Sequence, residues 1–250
     1  MTTTKYRAKI ETLPNSESLA QKCVEIFISD ANKAIQEKNS FYVALSGGSS
    51  PKRFFELLGT TVQSKALRWN KIHVFWVDER YVPPISNQSN YKLAADSFLN
   101  KVPIPHDNIH RIPTEFSDFH MAAERYEEII KSVFELKEKR LPQFDLILLG
   151  MGRDGHIGSL FPNSYATFDT EDLACVVYVM DEKLNRITLT HPVLRAAKHL
   201  IVLLSGREKS DIIKKVLTSE PDEVRYPIHK LWPILDKVTW LMDSDAAGNL

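Results

Sequence analysis

The residues best suited to chemistry crowd into one stretch of this chain, D-L-I-L-L-G-M-G-R-D-G-H-I-G-S-L-F-P at 145–162. Asp154 and His156 stand one residue apart in it. An imidazole can take and return protons at physiological pH, and a carboxylate beside it can orient the ring or stabilise its cation. Gly150, Gly152, Gly155 and Gly158 surround the pair. Glycines this dense let a chain turn tightly and bring bare backbone close to a ligand. Taken alone, a D-G-H also serves as a solvated turn in which Asp154 is a cap and His156 sits on the surface.

Other groups suit an anion. Ser46, Gly47 and Gly48 open S-G-G-S-S-P at 46–51, offering hydroxyls and free backbone N–H groups to a phosphate. No Gly-Lys-Ser/Thr follows, so this is not a Walker loop. Asp78, Glu79 and Arg80 follow an apolar run. The planar fork of Arg80 binds phosphate or carboxylate bidentately, although three charges at a strand end also read as a solvated edge. Arg186 opens R-I-T-L-T, and Lys209 falls in the first turn of a helical segment. A cation there opposes the helix dipole, which makes more sense with an anion opposite it. Ser159 lacks the G-x-S-x-G setting of a nucleophile and reads as a turn or cap residue.

The elements that must position these groups follow from hydrophobic periodicity. Apolar runs at 41–45, 72–77, 144–149, 174–180, 199–204 and 238–242, with the alternating 186–190, read as strands. Helical spacing occupies 16–36, opened by Ser16 as a cap, then 52–58, about 91–99, 120–139, 192–197 and 210–217. Residues 103–113 form a connector whose His106 and His110 lack metal-ligand companions. Strands alternating with helices predict one α/β domain over 1–250, with a mostly parallel sheet and helices on both faces. Ser46, Asp78 and the 150–158 loop then lie beyond the carboxyl ends of strands, where open α/β sheets bind ligands.

Composition narrows the partners. The 32 basic and 32 acidic residues cancel, so no overall field recruits nucleic acid or an anionic membrane, and any anion must be gripped locally. Cys23 and Cys175 make neither a disulfide framework nor zinc-finger spacing. No leader-like or membrane-spanning apolar run is evident, which points to a cytoplasmic protein. No metal or redox cofactor is expected. G-M-G-R-D-G at 150–155 matches a dinucleotide fingerprint, with Asp169 and Glu171 near the spacing of a ribose ligand. Asp154 inside that loop would repel a pyrophosphate, and Pro162 interrupts any following helix.

S-G-G-S-S-P at 46, V-D-E-R-Y-V-P-P-x-x-x-x-S-N at 77–90, L-L-G-M-G-R-D-G-H-I-G-S-L-F-P from 148, R-I-T-L-T at 186 and S-G-x-x-K at 205–209 together resemble the signature set of 6-phosphogluconolactonases. The resemblance spans 41 to about 217. It implies a modified Rossmann-type sheet in a three-layer α/β/α domain, similar to sugar-phosphate isomerases. It also implies hydrolysis of 6-phospho-D-glucono-1,5-lactone in the oxidative pentose phosphate pathway, by a monomer or weak homo-oligomer. On that reading His156 and Asp154 are catalytic, and Ser46, Gly47, Gly48, Asp78, Arg80, Arg186 and Lys209 bind the phosphorylated sugar lactone. The family usually reads D-G-H-T-A-S where this chain has D-G-H-I-G-S, so a hydroxyl contact at Ile157 is lost. Related deaminases, which would use Asp78 as a base on a sugar carbon, usually show M-D-E-Y where this chain has V-D-E-R. A glucosamine-6-phosphate deaminase or isomerase is the alternative enzyme, and a non-catalytic sugar-phosphate-binding protein the alternative class.

Overall fold

A computed structural model describes residues 8–138, 140–179 and 184–250. The strands in chain order are β1 (Lys9–Leu13), β2 (Phe41–Leu45), β3 (Ile72–Trp76), β4 (Asp78–Arg80), β5 (Ile109–His110), β6 (Leu146–Leu149), β7 (Ala174–Val177), β8 (Arg186–Leu189), β9 (His199–Leu204) and β10 (Val238–Asp243). Seven of these make a sheet in the order β1-β10-β9-β6-β2-β3-β5, every pairing parallel. The helices are α1 (Ser16–Lys38), α2 (Lys52–Leu58), α3 (Val62–Lys65), α4 (Asn90–Ser97), α5 (Phe119–Val133), α6 (His191–Ala196) and α7 (Ser210–Thr218).

Successive residues of a strand face opposite sides of a sheet. Every residue of β6 and β10 is nevertheless buried, so a layer must cover each face. Phe27 of α1 meets Phe41 at 5.4 Å on one side. Phe134, just after α5, meets Tyr42 at 4.6 Å on the other. Burial on both faces is why the central strands are apolar runs rather than alternating patterns. The charge in the 144–149 run, Asp145, sits buried at the amino end of β6. Lys38 at 2.9 Å and Lys198 at 3.1 Å pair with it, and Tyr42 N donates to it at 2.9 Å.

Several expectations change. The cap of α1 is Asn15, whose side chain accepts from Ser18 N at 2.9 Å, rather than Ser16. α5 stops at Val133, and Glu135 has a left-handed φ of 49°; Lys139 and Met180, the expected ends of a helix and a strand, lie outside the described residues. The connector at 103–113 contains β5, which extends the sheet beyond β3. Most consequential for the site, β4, β8 and β7 form a separate antiparallel sheet. Among the described residues no helix is long and apolar enough to cross a membrane.

Candidate active site

Chain order reverses between β2 and β6: from β2 the sheet grows through β3 on one side, and from β6 through β9 on the other. Such a switch point opens a crevice beyond the strand ends. The loops after these two strands, 46–50 and 150–158, flank it, tied by Ser46 N donating to Leu148 O at 3.0 Å. A cavity of about 270 Å³ lies there. Ser46, Gly47, Gly48, Asp78, Arg80, His156, Arg186 and Lys209 all line it. Asp154 stands behind His156.

The loop after β6 builds the histidine. Asp154 Oδ1 accepts from His156 N at 3.1 Å and meets its Nδ1 at 2.6 Å, so one carboxyl oxygen fixes both backbone and ring. Gly155 has a φ of 86°, a left-handed conformation that favours glycine. Gly152 is required by proximity instead: a Cβ there would fall 2.2 Å from His156 Nδ1 and 2.7 Å from Asp154 Oδ1. Phe161 packs on the imidazole at 4.5 Å between centroids. Burial works against the Asp154 charge, but the hydrogen bond and positive charge of His156 prevail and lower its pKa. No protein group bonds His156 Nε2 among the described residues.

The second wall is the β4–β8 ribbon. Arg80 lies directly opposite Arg186, and Asp78 opposite Thr188; period-two alternation puts all four on one face. Like charges directly opposite one another destabilise a strand pair, so two guanidinium groups here suit an anion between them. Arg80 donates to Gln88 O at 2.7 Å, and the Arg186 guanidinium lies 5.4 Å from the Phe161 ring centroid. Ser159 sits in a turn, as expected, but it is also buried and its Oγ donates to Asp78 Oδ2 at 2.7 Å. Thr188 Oγ1 accepts from Ser159 N at 3.2 Å.

Lys209 closes the cavity from a short 3₁₀ turn, Arg207–Lys209, before α7. Its Nζ donates to Met151 O at 2.6 Å. Burial lowers its ammonium below the usual lysine range, Glu208 and Asp154 opposing and Arg153 adding to the effect. Ile157 is fully buried, bridged to Met151 and Leu160, and is not among the residues that line the cavity. The residues at the ribose-ligand spacing of a dinucleotide site do not join it; Asp169 lines a different cavity.

Among the cavity side chains that sequence reasoning missed are Asn90 and Arg153. Asn90 donates through Nδ2 to Asp78 O at 2.9 Å. It also dictates Gly47, where a Cβ would fall 1.9 Å from Asn90 Oδ1. Its signal was the S-N that ends the 77–90 motif. The signal for Arg153 was its place just before the D-G-H, inside the motif that starts at 148.

Residues 14–240 match the family of glucosamine-6-phosphate isomerases/6-phosphogluconolactonase. A 6-phosphogluconolactonase of Synechocystis is 36% identical over 242 residues, covering 97% of this chain and 98% of its own. The crystal structure of a 6-phosphogluconolactonase from Thermotoga maritima superposes with a TM-score of 0.77 at 30% identity, over 94% of this chain and 99% of that one. A monomeric glucosamine-6-phosphate deaminase has the same fold, with a TM-score of 0.80 at 22% identity over 97% and 100% of the two chains. The chain belongs to the 6-phosphogluconolactonase family and is an ester hydrolase of that family.

Proposed function

We propose that this enzyme opens 6-phospho-D-glucono-1,5-lactone to 6-phospho-D-gluconate by general-base catalysis at His156, as a step of the oxidative pentose phosphate pathway in the cytoplasm. The observation that carries the mechanism is the 2.6 Å Asp154–His156 pair on a cavity walled by Arg80, Arg153, Arg186 and Lys209. His156 Nε2 takes a proton from water as the water oxygen bonds to the lactone carbonyl carbon. The tetrahedral centre then collapses, its bond to the ring oxygen breaks, and that oxygen receives the proton from the imidazolium. Asp154 holds Nδ1 and offsets the positive charge that the ring carries between the two transfers. A lactone is already an activated ester, so a positioned base supplying about 10²–10⁴-fold serves without a covalent intermediate.

The phosphate end is held by cations and backbone. Arg80, Arg186 and Lys209, with Ser46 and the N–H groups of Gly47 and Gly48, receive the phosphorylated lactone. Asp78, steadied by Ser159, faces the sugar hydroxyls. A lactonase assay with freshly made substrate, corrected for spontaneous opening, run beside a glucosamine-6-phosphate deaminase assay, tests the reading. Enzymatic acid release with no ammonia release is expected; ammonia without lactone opening would reverse the assignment.

A further inference from the structure

Glu79 stands between two cavity residues, Asp78 and Arg80, yet strand alternation points it the other way. It is 3% exposed. A carboxyl group at such a depth is normally paired with a cation or fully hydrogen-bonded, and among the described residues no cation pairs with it. Four donors converge on it instead. Oε1 accepts from Arg80 N at 2.8 Å and Asn90 N at 2.7 Å. Oε2 accepts from Ser89 Oγ at 2.9 Å and Tyr91 N at 2.8 Å. Asn90 and Tyr91 open α4, where backbone N–H groups have no intrahelical partner and a carboxylate meets the positive end of the dipole. Ser89 Oγ also accepts from Lys92 N at 3.1 Å, capping the helix.

The bonded residues are the ones that shape the cavity. Arg80 lines it and so does Asn90. Asn90 in turn reaches back to Asp78 O and sits against Gly47, so its placement sets the spacing between the β4 wall and the 46–50 loop. Between Arg80 and Ser89 the chain makes an irregular excursion that includes the exposed Ile85. A single buried carboxyl bridges the two ends of that excursion, and does so through backbone N–H groups, whose positions fix where the side chains start. Geometry of this kind governs how well a cation meets its anion, because charge-assisted hydrogen bonds depend on short distances and alignment.

We propose that Glu79 is a positioning residue for substrate binding: its carboxyl locks Arg80 and Asn90 into one unit, so that the phosphorylated substrate meets a preformed wall. This rests on the reading of Arg80 as a phosphate ligand. It distinguishes Glu79 from a buried group that only stabilises the fold, because its loss is felt through Arg80.

The test is steady-state kinetics on freshly made phosphorylated lactone for Glu79→Gln, Arg80→Ala and the double variant, with melting curves for each. Glutamine keeps the size, but its amide nitrogen cannot accept, so one pair of donors loses its acceptor. KM should rise about tenfold in Glu79→Gln, equivalent to ~1.4 kcal/mol, with a smaller change in kcat. Added to Arg80→Ala, the same change should raise KM by less than about threefold, the mark of residues acting as a unit. A raised KM in Arg80→Ala with none in Glu79→Gln overturns the positioning role and leaves the Arg80 reading intact. A flat KM in both variants overturns the Arg80 reading itself, and fully additive effects show that Glu79 does not act through Arg80. Should Glu79→Gln fail to fold, Ser89→Ala, which removes one of the four donors, decides: a KM rise of about threefold supports the role, and an unchanged KM contradicts it.

Discussion

Two histidines in this molecule hold an aspartate through Nδ1 at 2.6 Å, His156 with Asp154 and His199 with Asp30. They lie at opposite ends of the parallel sheet. The amino-end pair is closed: Thr239 Oγ1 meets His199 Nε2 at 3.0 Å. Charges around it are matched, with Lys38 and Lys198 on Asp145. The neighbouring cavity, about 290 Å³, carries the carboxylates of Asp30, Glu37 and Asp145 beside Lys33 and Lys198. At the carboxyl end His156 lines a cavity of similar size, about 270 Å³, whose other charged lining is Arg80, Arg153, Arg186 and Lys209 against Asp78. A carboxylate beside an imidazole is therefore no signature of a base by itself. On the proposed mechanism the chemistry comes from the open second nitrogen and from cations placed to hold an anionic substrate against it.

The difference between the two ends of the sheet is exposed at Gly152. A Cβ there would fall 2.2 Å from the His156 ring and 2.7 Å from Asp154 Oδ1, so it would displace the Asp154–His156 pair, and no cation is among its three nearest contacts. Gly152→Ala should lower kcat by about 10²-fold, the cost of a misplaced catalytic group, with a smaller change in the affinity for 6-phosphogluconate. Parallel turnover and calorimetry would check this; a kcat near wild type would mean the pair is not catalytic.

The cations come next. Arg80→Ala or Lys209→Ala should raise KM for the phosphorylated lactone roughly tenfold to a hundredfold, one charge-assisted hydrogen bond contributing about 1.5–3 kcal/mol. Unphosphorylated gluconolactone should register little of this, and equal losses on both substrates would place these cations at the carbonyl or in folding. Because burial lowers the Lys209 ammonium, it sheds its charge before a free lysine would as the pH rises. Affinity for 6-phosphogluconate should accordingly weaken in the alkaline range, and Lys209→Ala should flatten that dependence.

His199→Ala is the counterpart with the smallest effect on rate. It should leave kcat within about twofold and cost about 1–3 kcal/mol of stability, because Asp30 and Thr239 lose a partner. Chemical denaturation beside an activity assay measures both, and a large fall in kcat would erase the distinction between the two ends.

Much of this was legible in the sequence because buried parallel strands are uniformly apolar. β2 and β9 match their runs end to end, and the glycine loops after β2 and β6 mark the crevice. Local pattern could not show that residues 78–80 pair with 186–188 across a hundred residues, and that pairing aligns Arg80 with Arg186. Nor could it show which way Glu79 points, since D-E-R reads equally well as a solvated edge. β1 and β5 escaped notice as edge strands, K-I-E-T-L with two charges and I-H with two residues. His110 meets His73 at 3.0 Å, a pairing invisible from spacing because β3 and β5 bring the two together. Burial and the neighbouring imidazole push His110 down to about 4, which suits a packed pair.

The most direct test of the account is His156→Ala, assayed on freshly made phosphorylated lactone with spontaneous hydrolysis subtracted and 6-phosphogluconate binding measured on the same protein. Turnover should fall by at least about 10²-fold, the lower range for a lost general base, while 6-phosphogluconate still binds within about threefold of wild type. A variant that kept more than about a tenth of wild-type turnover would contradict general-base catalysis by His156.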